Sequence, residues 1–335
     1  TRQEEPAVRN SQIDVLRLLA MLMVVCWHFY VHGIRRELIG DGVMLGVQST
    51  LVEQLNGRLL QLVSVLCSMA VNVYVMLTGY LLLWKRFSVR RILRVWLQAV
   101  VTSLLIVLVF QVFSPEESFG QRLMLVADVR AYGGYWFVKC YVRMMLLSPL
   151  LVWLSRSLRQ TPFVLLIVVL FALGCQWTEE SGAVFALPTS RGYSLMWFVV
   201  LFLTGAYLRR FPLPRRLSGW LMFAVVLAGA YALQLAVSWP VVNFESIPYN
   251  GTAYPLAMLF LSAFVGGRAV GERLGQHLSR LAPLAFGVYL VHDHELVRQW
   301  LWYDCSLWRS SLTLWTFPLV MVLVCMGIFA VCLAL

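Results

Sequence analysis

Charge is what this 335-residue chain has least of: 13% of its residues are charged, against 60% hydrophobic ones and a mean hydropathy of +0.77. A soluble chain carries roughly a quarter charged residues, so there is too little polar surface here to cover a water-facing body. An ordinary soluble protein is excluded. The motifs of soluble enzymes are missing as well: no Gly-rich phosphate loop, CxxC pair, HExxH or GxSxG, and no tandem repeat or low-complexity tract. Of seven cysteines, Cys26, Cys67, Cys140, Cys175, Cys325 and Cys332 fall within apolar runs, which leaves no framework of paired external thiols.

Long apolar runs are what the chain does have. Charge-free windows cover Leu59–Trp84, Val95–Pro115, Pro162–Thr178, Gly192–Leu208, Leu217–Pro240, Ser246–Gly267 and Ser310–Leu335. Three more carry charge: Ile13–Gly33, Ala131–Ser155 and Leu281–Trp302. A crossing needs ~20 residues, so the sequence predicts an all-α polytopic membrane protein. It would have about ten transmembrane helices in one domain over residues 1–335, with no separate soluble domain. No small-residue cleavage site follows the first run, which therefore reads as a retained helix.

The formal charge of +11 is unevenly placed. Arg2, Arg9, Lys85, Arg86, Arg90, Arg91, Arg94, Arg156, Arg159, Arg209, Arg210, Arg215, Arg216, Arg268, Arg273 and Arg280 fall in alternate connections. The others hold seven arginines, Arg35, Arg36, Arg58, Arg122, Arg130, Arg191 and Arg309, against ten acids, among them Glu116, Glu117, Glu179 and Glu180. The positive-inside rule then puts both termini in the cytoplasm. Membrane lipids, and not nucleic acid, are the expected partners of this charge.

Ionisable groups inside the bilayer are costly and mark function. Arg17 and His28, eleven residues and three helical turns apart, lie on one line of the first span about 16 Å from each other. Asp14, Met21, Val24 and His32 share that stripe. Arg17 snorkelling beside Asp14, with His28 as an interhelix hydrogen-bonding residue, is the structural alternative.

These residues meet a wider pattern. Ile13–Ala20 followed by His28 resembles the opening of the acyltransferase family-three membrane proteins, whose hallmark is Arg, ten residues, His. Asn72–Leu82 resembles the family's span ending in Ser-Gly-Tyr, and Arg90, Arg91 and Arg94 its basic inner loop. Tyr135-Trp136-Phe137 through Ser148-Pro149-Leu150, Trp197–Arg209 and Phe286–His292 are similar to later family segments. The similarity is greatest to the compact branch of surface-polysaccharide and enterobacterial common antigen O-acetyltransferases. The chain departs from the pattern at Thr78, Ala285 and Asp293-His294-Glu295.

The resemblance implies transfer of an acyl group, usually acetyl, from cytoplasmic acetyl-CoA to a hydroxyl of a surface polysaccharide or lipid-linked glycan outside a bacterial inner membrane. Acyl-CoA is then a co-substrate, with no tightly bound cofactor. Arg17, Arg90, Arg91 and Arg94 are candidates for the donor's phosphates, a geometry guanidinium suits. The alternative for the last three is topology and lipid head groups alone. Imidazole titrates near neutrality, which makes His28 the candidate general base or acyl carrier. Asp14 would orient Arg17 through an ion pair.

For the acceptor or the oxyanion, the candidates are mid-span Asn72, Trp136, the pair Lys139 and Arg143 read as buried cations, and His292 with Glu295 on one face of the ninth span. Pairing of Lys139 and Arg143 with Asp293 or Glu295 is the structural alternative. His28 and His32 form half of a metal site that His292 or Glu295 would complete, but spacing fixes no third ligand, and no metal is expected. Thr78, Gly79 and Tyr80 read as close helix packing. The competing class is a transporter or glycolipid flippase. Such proteins often carry broken helices in two related halves, and no half-to-half symmetry is visible.

Overall fold

The computed structural model describes residues 11–35, 50–115, 118–127, 135–175, 192–213, 219–238, 251–267, 272–304 and 309–335. Several charges used above to orient the chain lie outside these residues: Arg2, Arg9, Arg36, Glu116, Glu117, Arg130, Glu179, Glu180, Arg191, Arg215, Arg216 and Arg268. Among the described residues the backbone is helical, with no strand. Six helical stretches are long and apolar enough to cross a membrane, and Gln160–Leu173 and Ala253–Gly266 are shorter apolar helices. The protein is an integral membrane protein.

Helix α1, Ser11–His28, is rich in unbranched and small helix-forming residues and carries Asp14 in its first turn, where an acid suits the helix dipole. It runs directly into a π-helical segment, Phe29–Arg35. Helix α2, Leu51–Cys67, starts earlier than the apolar run predicts. Thr50 and Glu53 form a capping box there, Thr50 N donating to Glu53 at 2.7 Å and Glu53 N to Thr50 Oγ1 at 3.3 Å. The box satisfies end groups that hydropathy does not see.

After a break at Ser68 and Met69 follow α3 (Ala70–Leu82), α4 (Val89–Phe113), α5 (Phe119–Ala127), α6 (Trp136–Ser157), α7 (Gln160–Cys175) and α8 (Leu195–Arg210). The chain continues through α9 (Gly219–Ser238), α10 (Ala253–Gly266), α11 (Glu272–Leu281), α12 (Ala285–His292), the short α13 (Glu295–Gln299) and α14 (Phe317–Ala334).

Burial separates a centre from a periphery. The apolar windows of 11–34 and 51–82 are 67% and 72% buried, whereas those of α4, α9 and α14 are 22%, 11% and 22% buried. Helix α1 touches α2, α3, α11, α12 and α14 and is therefore central. Helices α3 and α8 cross most closely. A Cβ added to Gly79 would come within 2.0 Å of the Phe202 carbonyl oxygen, and one added to Gly205 within 1.8 Å of that of Met76. Small residues permit such approach in membranes. The obstacle is backbone on both sides, so the helices must part to admit a methyl. Gly79→Ala is expected to cost about 2 kcal/mol and to lower the thermal unfolding midpoint in detergent. An unchanged midpoint would show that this crossing is slack.

The ninth predicted span is not one helix. A 3-10 turn, Ala282–Leu284, leads into α12, which stops at Asp293. His294 caps α13 by accepting from Leu296 N at 3.3 Å, and a π segment, Trp300–Asp304, follows. Asp and His offer side-chain partners to a helix end, so the polar run itself stops α12.

Candidate active site

Three turns of α1 separate two clusters. At the end of the bundle where α1 begins and α3 ends, a cavity of about 350 Å³ is lined by Arg17, Lys85, Arg91 and Arg94 among aromatic and apolar side chains. Arg91, Arg94, Val95 and Gln98 recur at helical spacing and present one face of α4 to it. Among the described residues no acceptor engages the guanidinium of Arg91 or Arg94. Arg17 NH1 donates to Asp14, which is buried, at 3.2 Å, so the acid predicted to orient Arg17 is in place. Burial, and then the Arg91 and Arg17 charges, lower the Lys85 ammonium from its ordinary value. Cations held together against their mutual repulsion favour an anionic occupant.

A second cavity of about 210 Å³ adjoins the first through Leu82, Lys85, Arg91 and Met145, and adds Arg86, Phe87 and Arg156. Other arginines at this end are used structurally. Arg209 donates to Tyr80 at 2.8 Å, and Arg210 to the carbonyls of Ser155 and Leu158 at 2.6 Å, covering the end of α6. Of the basic residues assigned by sequence to one side, Lys85, Arg86, Arg91, Arg94, Arg156, Arg209 and Arg210 lie at this end. Arg90 differs from Arg91 and Arg94 in lining neither cavity, although Arg94, which lines the first, is exposed as well.

The second cluster surrounds His28, at the last α-helical position of α1, where the backbone widens to the π segment. Such π turns recur at functional sites. His28 Nδ1 lies 2.9 Å from His292 Nε2 and 3.6 Å from Asp293 Oδ1. Arg298 reaches the same carboxylate oxygen at 3.5 Å. His294 Nε2 pairs with Ser103 of α4 at 3.0 Å, and Tyr135 donates to the Leu290 carbonyl. His28, His292, Asp293 and His294 are all buried. Phe286, at the rim of the basic cavity, packs on Tyr289, which packs on His292 at a ring separation of 6.4 Å. An aromatic wall therefore joins the two clusters.

His28, His32 and Asp293 present nitrogen and oxygen atoms within 4.8 Å of one another, so Asp293 takes the place at which His292 or Glu295 was considered. The 2.9 Å contact between His28 and His292 is a hydrogen bond. Two nitrogens on one tetrahedral zinc, at ~2.0–2.1 Å from the ion, stand about 3.3 Å apart or more.

The remaining sequence candidates are placed differently. Asn72 is fully buried and accepts from Trp197 Nε1 at 3.0 Å, tying α3 to α8. Trp136 packs edge-on or tilted against Tyr193, Phe137 and Phe198 at the start of α6. Lys139 and Arg143 are not the buried pair expected. The buried stripe of α6 is Phe137, Cys140, Met144, Ser148 and Leu151, whereas Arg143 is exposed beside Leu146, Leu147 and Leu150, and Lys139 is half-buried. Both fall within about 11 Å of the helix start, within snorkelling reach of the interface. Glu295 is also exposed, because the break at Asp293 rotates α13 away from the face of α12 that carries His292. Asp293, which the sequence offered as a departure from the family pattern and as a partner for Lys139 and Arg143, and His294, offered as a departure, take the buried places.

The acyltransferase family-three model, described as an acyltransferase domain, matches residues 10–335. No curated protein and no solved structure matches the chain.

Proposed function

The chain belongs to this acyltransferase family, and on that premise we propose that it transfers an acyl group, acetyl first among candidates, from cytoplasmic acyl-CoA to a hydroxyl of a surface polysaccharide or lipid-linked glycan. The reading includes ten crossings of a bacterial inner membrane, with the residue-11 end of α1 facing the cytoplasm. One observation carries it: a single helix joins, through Arg17, a cavity where Arg91 and Arg94 meet no acceptor among the described residues to a buried imidazole cluster, through His28. The cations suit a polyphosphate donor, and the imidazole suits deprotonation of an alcohol.

The donor's phosphates occupy the basic cavities, and its pantetheine arm follows the α1 stripe towards His28. The acceptor oxygen attacks the thioester carbon as its proton passes to His28. The tetrahedral intermediate then loses the sulfur, and the thiolate takes that proton, leaving an ester and free CoA. Purified protein in liposomes tests this with labelled acetyl-CoA and a crude glycolipid acceptor. Acceptor-dependent release of CoA thiol, with label in the glycan, is the expected result. Neither binding nor turnover with any acyl-CoA would sink the reading and leave glycolipid transport as the next assay.

A further inference from the structure

Which nitrogen of His28 takes the proton is decided by its neighbours. Wholly buried His292 has its Nδ1 2.5 Å from the carbonyl oxygen of Val288, one turn earlier in α12. A carbonyl only accepts, so this Nδ1 carries hydrogen, and in a neutral ring Nε2 is then a lone pair. That lone pair lies 2.9 Å from Nδ1 of His28. Two lone pairs do not approach so closely without a shared hydrogen, so Nδ1 of His28 is the donor. Its Nε2 is left bare.

The geometry points to His292 as a positioning residue that fixes His28 in the Nδ1–H tautomer and thereby makes Nε2 of His28 the basic nitrogen. Asp293, 3.6 Å from Nδ1 and itself held by Arg298 at 3.5 Å, lies beyond hydrogen-bond reach, but it is near enough to stabilise the imidazolium formed during transfer. The chain Val288 carbonyl, His292, His28 resembles in logic an acid that orients a catalytic imidazole, with a backbone carbonyl as the anchor. The proton accepted by Nε2 is the one later given to the leaving thiolate, so the ring ends each turnover in the tautomer in which it began. The catalytic consequence rests on the acyl-transfer reading; the tautomer does not.

Nitrogen-15 NMR of the lipid-reconstituted protein separates the two. The chain has five histidines, so the His28 signals can be assigned by their loss in His28→Gln. Wild type is expected to show hydrogen on Nδ1 of His28 and none on Nε2. His292→Phe keeps an aromatic ring, somewhat larger, that accepts no hydrogen bond. It should move His28 to the Nε2–H form and lower kcat on the order of 10²–10⁴-fold, with KM for acetyl-CoA within about twofold. His292→Gln, whose amide oxygen can accept, should recover much of that loss. An Nε2–H ring in wild type overturns the assignment whatever the activity of any variant. An unchanged tautomer and kcat in His292→Phe overturn the role of His292. The expected tautomer without transfer from any acyl-CoA would instead overturn the acyl-transfer reading.

Discussion

Replacing His28 with alanine is expected to lower acetyl transfer on the order of 10³-fold, within the range that a positioned general base supplies. The loss should fall on kcat, because the proposed reading holds the donor's phosphates three turns away, in the cavity that Arg17 lines. Binding of acetyl-CoA by His28→Ala, measured calorimetrically, should stay within a fewfold of wild type. Incubation of wild type with labelled acetyl-CoA and no acceptor separates the two possible roles of the imidazole: label on the protein indicates an acyl-histidine, and its absence indicates direct transfer. Activity in His28→Ala near wild type would move the chemistry elsewhere.

Neutralising the cavity is expected to act on the opposite parameter. Arg91→Gln combined with Arg94→Gln should raise KM for acyl-CoA about 10²-fold or more, since a hydrogen bond to a charged group contributes ~1.5–3 kcal/mol. kcat should move little. Arg90→Gln, one residue away at a position that lines neither cavity, should change KM less than about threefold, because a charge so placed acts only through screened, long-range attraction. Initial rates across a donor series decide the matter. Equal effects of Arg90 and Arg91 would mean that this loop attracts anions without forming a site.

The Arg17–His28 stripe was legible because helical period alone puts residues eleven apart on one line, whatever surrounds them. The basic turn and its neighbours were legible because charge in short connections is legible. Other features were hidden for identifiable reasons. Hydropathy counts side chains, so the window Leu281–Trp302 looked continuous although its backbone stops at Asp293. With no glycine or proline at the break, the only sign was four polar residues in a row, His292-Asp293-His294-Glu295. In α6 both faces are apolar, one against protein and one towards lipid, so the pattern gave no means of deciding which side held Lys139 and Arg143. Asn72 looked available for chemistry because its partner, Trp197, lies on a helix that sequence could not place beside it.

The unequal burial of the helices also governs where random change can be felt. Lipid accepts apolar side chains of almost any shape, so exchanges among Leu, Val, Ile and Met on the outward faces of α4, α9 and α14 alter neither packing nor charge. A saturation library scored for growth or glycan labelling would return long silent tracts there, interrupted where these helices meet the centre, as at Ser103. Lesions would concentrate in α1, α3, α8 and α12, which hold the glycine crossing and the imidazole cluster. Such a map, made without any substrate in hand, would outline the working interior of the enzyme from the outside.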